Sequence, residues 1–204
     1  MKSDLVEQIV CPECHTNFSL KIKKKQKEEI IEGVLTCNKK HRFLIIRGIP
    51  RLVSDKQKDF VKTEDAFSSK WRNFNKTYHN KKWVENQKKW FLERFGWKSI
   101  SKLNSFLETR SKILDAGTGV GNSAKLFSSN PNAQVFGIDA SESIEFAYKK
   151  YGKIKNIHFL QADIRKLPFK KNSLISFVLI KYYITLKIRN LHSKCSQNYW
   201  LRRV

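Results

Sequence analysis

The chain has 204 residues, 40% of them apolar and 12% aromatic, values of a globular protein with room for one ordinary domain and a small one. A formal charge of +23 admits a polyanionic partner, but 31 of the 41 basic residues are Lys spread over every segment, the pattern of a solvated surface. No apolar run approaches the ~20 residues that cross a bilayer, and MKSDLVEQIV lacks the basic-then-apolar pattern of an export signal; a cytoplasmic protein that engages no membrane is expected.

Residues 1–53 read as a small β-rich module. CPECHTNFSLKI begins with a tight turn and enters a strand, the charged patch KKKQKEE reads as a loop, and IIEGVLTC and RFLIIRGI supply two more strands. Cys11 and Cys14 form a C-x2-C pair. After 22 residues Cys37 and His41 form C-x3-H. Each short pair can make one knuckle, and two knuckles close a tetrahedral Cys3His site for structural zinc, with no open position for water. Such a metal would hold together a module too small to be stable on its own core. His15 competes as a ligand but belongs to the same knuckle as Cys14, and Cys195 stands alone in the tail.

Residues 54–110 are rich in aromatics, among them Phe60, Phe67, Trp71, Phe74, Trp83, Trp90, Phe91 and Trp97, set among Lys and Asn without Pro. A helical connector packing its aromatics onto a neighbouring domain is expected. From Ser111 the pattern alternates. KILDA, AQVFGID and NIHFLQAD read as strands, NSAKLFSSN and SESIEFAYKKYG as helices, and KNSLISFVLIKYY as a fourth strand. Strand–helix alternation with short apolar strands implies a parallel sheet covered by helices, here over 111–175. Residues 176–204 form an atypical tail. Beyond Asp163 no Asp or Glu occurs among ten Lys or Arg, and the last ~30 residues show no helix period or cap, as expected of a chain that is C-terminally incomplete or read in another frame there.

The turn in ILDAGTGVGN carries Gly117, Gly119 and Gly121 just after Asp115. It is a G-x-G-x-G, not the G-x-G-x-x-G that presents a helix N-terminus to pyrophosphate. A carboxylate two residues before the first glycine would repel a pyrophosphate. S-adenosylmethionine carries a sulfonium and an ammonium instead, and for it the acid is an asset. Asp139 ends the second strand, 22 residues after Gly117, where a carboxylate can accept both ribose hydroxyls. Asp163 ends the third strand, placed to accept from an adenine amino group while the Ile164 amide meets a ring nitrogen. All lie at carboxyl ends of adjacent parallel strands, where open α/β sheets bind ligands.

In these residues the sequence resembles class I S-adenosylmethionine-dependent methyltransferases. ILDAGTGVGNSAKLF is similar to their first motif, VFGIDAS to the second, and IHFLQADIRKLPFKKNSL to the third and the approach to the fourth strand. The resemblance implies a Rossmann-like sheet, here of about four parallel strands. It also implies that Asp115, Gly117 and Gly119 contact the methionine portion, Asp139 the ribose, and Asp163 with Ile164 the adenine. Family members continue through an F-D-x-V strand to a seventh; NSLISFV has Leu174 and Ile175 in place of F-D.

Residues 1–53 resemble the zinc ribbon found before some methyltransferase domains, through Cys11/Cys14, LTC, Phe43 and GIPRLV. Their C-x3-H knuckle is similar to that of bacterial large-subunit rRNA guanine methyltransferases, whose zinc module helps grip RNA. The connector resembles the helical lid of methyltransferases acting on small molecules. Together these imply methyl transfer to a small-molecule or RNA acceptor. No general base and no oligomeric state is assigned. The competing expectation is a zinc-ribbon RNA-binding module without turnover.

Overall fold

The computed structural model describes residues 1–53, 81–94, 96–170 and 177–180. Their strands form one eight-stranded mixed sheet in the order β1-β2-β3-β4-β7-β6-β5-β8. Its antiparallel half is β1 (Phe18–Gln26), β2 (Glu29–Cys37), β3 (Arg42–Ile46) and β4 (Ile49–Leu52). Its parallel half is β5 (Lys112–Ala116), β6 (Gln134–Asp139), β7 (Ile157–Ala162) and β8 (Phe177–Ile180). The helices are α1 (Leu5–Gln8), α2 (Lys81–Arg94), α3 (Ile100–Glu108), α4 (Asn122–Phe127) and α5 (Ser143–Tyr151). The order β7-β6-β5-β8 is the third-second-first-fourth arrangement of a doubly wound nucleotide-binding half. The α/β, Rossmann-like expectation stands, and among the described residues no helix is long and apolar enough to cross a membrane.

Two local expectations change. The patch KKKQKEE reads as a loop, yet Lys23, Lys24 and Lys25 continue β1 and the turn comes only at Lys27 and Glu28, with Lys27 at φ 52°. β1 is the outer strand, and charged Lys on an edge strand blocks pairing with another chain; the charge run marks an edge, not a break. RFLIIRGI reads as one strand but folds as a hairpin. Ile46 pairs with Ile49 across Arg47 (φ 52°) and Gly48 (φ 79°), the two left-handed residues that a tight hairpin turn needs.

The two halves join where β4 pairs in parallel with β7, Arg51 opposite Gln161 and Leu52 opposite Ala162. Ion pairs reinforce the seam, Glu145 of α5 receiving Arg47 at 3.0 Å and also Arg51. Lys2 donates to the carbonyls of Gly152, Ile154 and Ile157 at 3.3, 2.8 and 2.5 Å, a cation at the C-terminal end of α5 where the helix dipole favours one.

One apolar layer runs unbroken under both halves. Leu5, Ile9, Phe18, Leu35, Phe43 and Leu52 share it with Leu114, Phe136, Leu160 and Phe169. The opposite layer is built mainly by the parallel half and its helices, with Phe91, Leu103, Leu107, Ile113, Phe127, Val135, Ile144 and Phe159, and is joined by Ile49 of β4. α2 therefore packs an aromatic onto the sheet domain as expected of the connector, through Phe91 edge-on to Phe127 at 5.6 Å. Residues 54–80, with Phe60, Phe67, Trp71 and Phe74, and the tail 181–204 with Cys195, lie outside the described residues.

Candidate functional site

The glycine turn follows β5. Its three glycines take left-handed backbone, φ 75° at Gly117, 56° at Gly119 and 81° at Gly121, conformations an L side chain resists. The amides of Gly117 and Thr118 both donate to the Ile138 carbonyl at 2.9 Å, and Gly121 closes on Thr118 at 3.0 Å. The turn is thus bonded across to the end of β6. A Cβ at Gly121 would meet Ala147 Cβ and Phe159 Cζ at 3.0 Å, whereas one at Gly117 would meet nothing within 4 Å. Gly121 lets the turn pack on α5 and β7. Gly117 faces open space, a place where a ligand can approach the backbone.

The expected acids stand at three neighbouring strand ends, but each already has work. Asp115 is fully buried, and Thr118 donates its hydroxyl to Asp115 Oδ2 at 2.6 Å. It shapes the turn from behind, through Thr118. Asp139 ends β6 half-buried. Gly119 donates its amide to Asp139 Oδ2 at 2.7 Å, and Ser141 donates both amide and hydroxyl to Oδ1, at 3.0 and 2.6 Å. Asp163, just past β7 and buried, receives the Arg165 amide on Oδ1 at 2.8 Å and the Arg165 guanidinium on both oxygens. Ile164 is half-buried against the apolar layer shared by the two halves.

Sequence reasoning missed Thr118, Ser141, Arg165 and Gln161. The first three were findable, since each lies two or three residues from an acid, in D-A-G-T, D-A-S and D-I-R, within reach of a local side-chain bond. Gln161 also stands two residues from an acid, Asp163, but its partners lie on other segments. It sits opposite Asp139 in the β6–β7 register and donates to the Ala140 carbonyl at 2.8 Å, while accepting from Arg51 at 3.1 Å.

The second cluster lies in the antiparallel half. Cys11, Cys14, Cys37 and His41 bring their ligand atoms within 4.8 Å of one another. Two turns with left-handed residues make this possible: His15 at φ 55°, its amide donating to the Cys11 carbonyl at 2.8 Å, and Lys40 at φ 62°, its amide on the Cys37 carbonyl at 2.8 Å. His15 itself is exposed and outside the group. Zinc bonds of about 2.3 Å to sulfur and 2.0–2.1 Å to nitrogen place tetrahedral S···S at about 3.8 Å and S···N at about 3.5 Å. Cys14 and Cys37 sulfurs stand 3.5 Å apart, and His41 Nδ1 lies 3.5 Å from Cys11 Sγ and 3.3 Å from Cys37 Sγ. The donor set fits the ion. Burial pushes the Cys11 thiol up from its ordinary range, while the Thr16 hydroxyl beside it pulls Cys14 down. A cation would supply the charge that a buried Cys11 thiolate lacks.

Part of the chain is similar to known methyltransferases. Residues 113–195 match a family model described as a methyltransferase domain; the match runs past β8 through most of the stretch expected to be atypical. A demethylmenaquinone methyltransferase of Chlorobaculum tepidum is 42% identical over 67 residues, 32% of this chain and 26% of the relative. The chain thus spans about a quarter of that relative's length. Among solved structures, an S-adenosylmethionine-dependent methyltransferase from Aquifex aeolicus is 26% identical over 43% of this chain and 48% of its own, with a TM-score of 0.35. The plantazolicin methyltransferase BpumL, in complex with a monoazolic desmethylPZN analog and S-adenosylhomocysteine, is 28% identical over 56% of this chain and 42% of its own, with a TM-score of 0.39.

Proposed function

We propose, for a chain whose residues 113–195 match a methyltransferase domain, that the C-terminal edge of β5, β6 and β7 binds S-adenosylmethionine for methyl transfer to a small-molecule or RNA acceptor. The observation that carries this reading is Asp139 held by the Gly119 amide. A carboxylate oxygen has two lone pairs. Oδ1 is filled by Ser141, whereas Oδ2 receives Gly119 alone among the described residues and can take one ribose hydroxyl. Ser141 has a second partner in Ser143, their hydroxyls 2.6 Å apart, so it can turn away and free Oδ1 for the other.

The remaining roles follow from position. The open face of Gly117 admits the methionine portion beside the turn that Asp115 supports, with Gly119 next to it. On the purine side Asp163 and the Ile164 amide would meet the adenine edge, and there the ligand competes with Arg165 for the carboxylate. The bound cofactor supplies an electrophilic methyl group; the residues named here orient it and exclude water. In the ribbon Cys11, Cys14, Cys37 and His41 would hold zinc as a four-ligand structural site.

Three carboxylates at this edge should prefer a cationic sulfonium ligand to a phosphorylated nucleotide. Melting of the full chain tests that. S-adenosylmethionine at 100 times its Kd should stabilise by about 2.7 kcal/mol, and ADP at the same concentration should leave the midpoint unchanged. A shift with ADP of equal size would turn the reading toward a nucleotide-binding fold.

The second reading, an RNA-binding module without turnover, draws on exposed Lys21, Lys23, Lys24 and Lys25 along the edge strand. It expects RNA affinity that falls steeply with salt and no response to S-adenosylhomocysteine.

A further inference from the structure

The first metal knuckle and the segment after β7 are fastened together by three kinds of contact. Val10 donates its amide to the Pro168 carbonyl at 2.9 Å, and Ile9 bridges Phe169 in antiparallel fashion. Glu13, set between the two cysteines of the knuckle, receives Lys166 Nζ on both carboxylate oxygens at 3.0 and 2.9 Å. Ile164 and Leu167 pack on the apolar layer that contains Cys11 and Phe169, as Cys14 does. This segment carries Asp163 and Ile164 to the sheet edge without being helix or strand. It has a turn, with the Lys166 amide on the Asp163 carbonyl at 3.0 Å. Chain of that kind takes its conformation from what it packs against.

The knuckle in turn depends on its ligands. The Cys11–Cys14 turn is closed by the His15 amide on the Cys11 carbonyl and by the Cys11 amide on the Thr16 carbonyl, at 2.8 and 3.0 Å. A cation shared with Cys37 and His41 would tie it to β2 and the turn after it. Without that tie, Val10 and Glu13 would lose the fixed base from which they hold residues 163–169.

We propose that the first metal knuckle positions the 163–169 segment, with Glu13 and Lys166 as positioning residues, so that metal in the ribbon and cofactor at the sheet edge bind cooperatively. The proposal rests on the cofactor reading above and assigns the ribbon a role inside the chain. Coupling of this kind is reciprocal: cofactor must tighten metal by the factor by which metal tightens cofactor.

Hydrogen exchange and calorimetry on the full chain test it, with zinc loaded and with zinc stripped by chelator. Stripping should speed exchange over 163–169 tenfold or more while β6, paired on both sides, keeps its protection. It should weaken S-adenosylhomocysteine binding about tenfold or more. Glu13→Gln or Lys166→Gln, with zinc retained, should weaken it about two- to fivefold, as a partly exposed ion pair allows. The exchange of charges, Glu13→Lys with Lys166→Glu, should restore most of the loss. Equal affinity and equal exchange in loaded and stripped protein would overturn the proposal. If stripping melts the whole chain, the zinc-retaining variants decide, and single changes without effect overturn it. A loaded parent that does not bind S-adenosylhomocysteine overturns the cofactor reading alone; the positioning claim then stands or falls on the exchange data.

Discussion

The two halves of the sheet are stabilised in different ways. In the parallel half β5, β6 and β7 are buried along nearly their whole length, with helices on one face and the shared apolar layer on the other. In the antiparallel half the second face is covered only in part: Val34 and Ile49 are buried there, whereas Ile22, Leu44 and Ile46 are among the exposed large apolar side chains, and four candidate metal ligands gather at one end of its strands. The parallel half stands on burial. The antiparallel half shares its core with its neighbour, and zinc on Cys11, Cys14, Cys37 and His41, as proposed, would add a cross-link.

Removing the cross-link should do the most. Cys37→Ser is expected to abolish zinc retention and to cost more than about 4 kcal/mol, with loss of β1–β3 signals before those of β5–β7. Denaturant unfolding read alongside metal content checks this, and a simultaneous loss of both halves would break the distinction. In the parallel half Phe136→Ala should cost about 3–5 kcal/mol, since Phe136 is 1% exposed and packs on Phe169 and His158. Leu44→Ala, on the uncovered face, should stay within about 0.5 kcal/mol.

Acid should act on the parallel half. His158 of β7 is buried, and burial, helped by nearby Lys2, holds its imidazole down to about 4, with Asp4 opposing. Between about 6.5 and 4 the unfolded chain then binds the proton that the folded chain refuses, so stability rises with pH across that window. Lowering pH from 7 to 4 should therefore cost about 3 kcal/mol through this residue. His158→Phe should flatten that limb of the stability–pH curve, and an unchanged slope would remove the assignment.

The glycine turn gives the finest contrast. Gly121→Ala meets both a left-handed backbone and atoms at 3.0 Å, and should cost about 2 kcal/mol or more. Gly117→Ala meets only the backbone cost of about 1–2 kcal/mol, yet should lose more cofactor affinity because its methyl group enters the open face. Paired melting and binding data on the two variants check the ordering.

What was legible in the sequence were features whose cause is local. The alternation from Lys112 to Ala162, the strand-end acids and the metal ligands all announce themselves by spacing. The seam between β4 and β7 did not, because parallel pairing between segments a hundred residues apart leaves no periodic trace. The Lys run of β1 was misread because an edge strand needs charge for the reason a loop tolerates it. Asp163 is legible by its place at a strand end, and Arg165, two residues on, is a legible local partner; the bonds of Gln161 to Ala140 and Arg51 cross between strands and leave no local trace.

The most direct test of the cofactor site is calorimetric titration of S-adenosylhomocysteine into the zinc-loaded chain and into Asp139→Ala. Saturable one-to-one binding by the parent, weakened tenfold or more in the variant, is the predicted result. Equal binding by both would contradict the role of Asp139, and no binding by the parent would contradict the site itself.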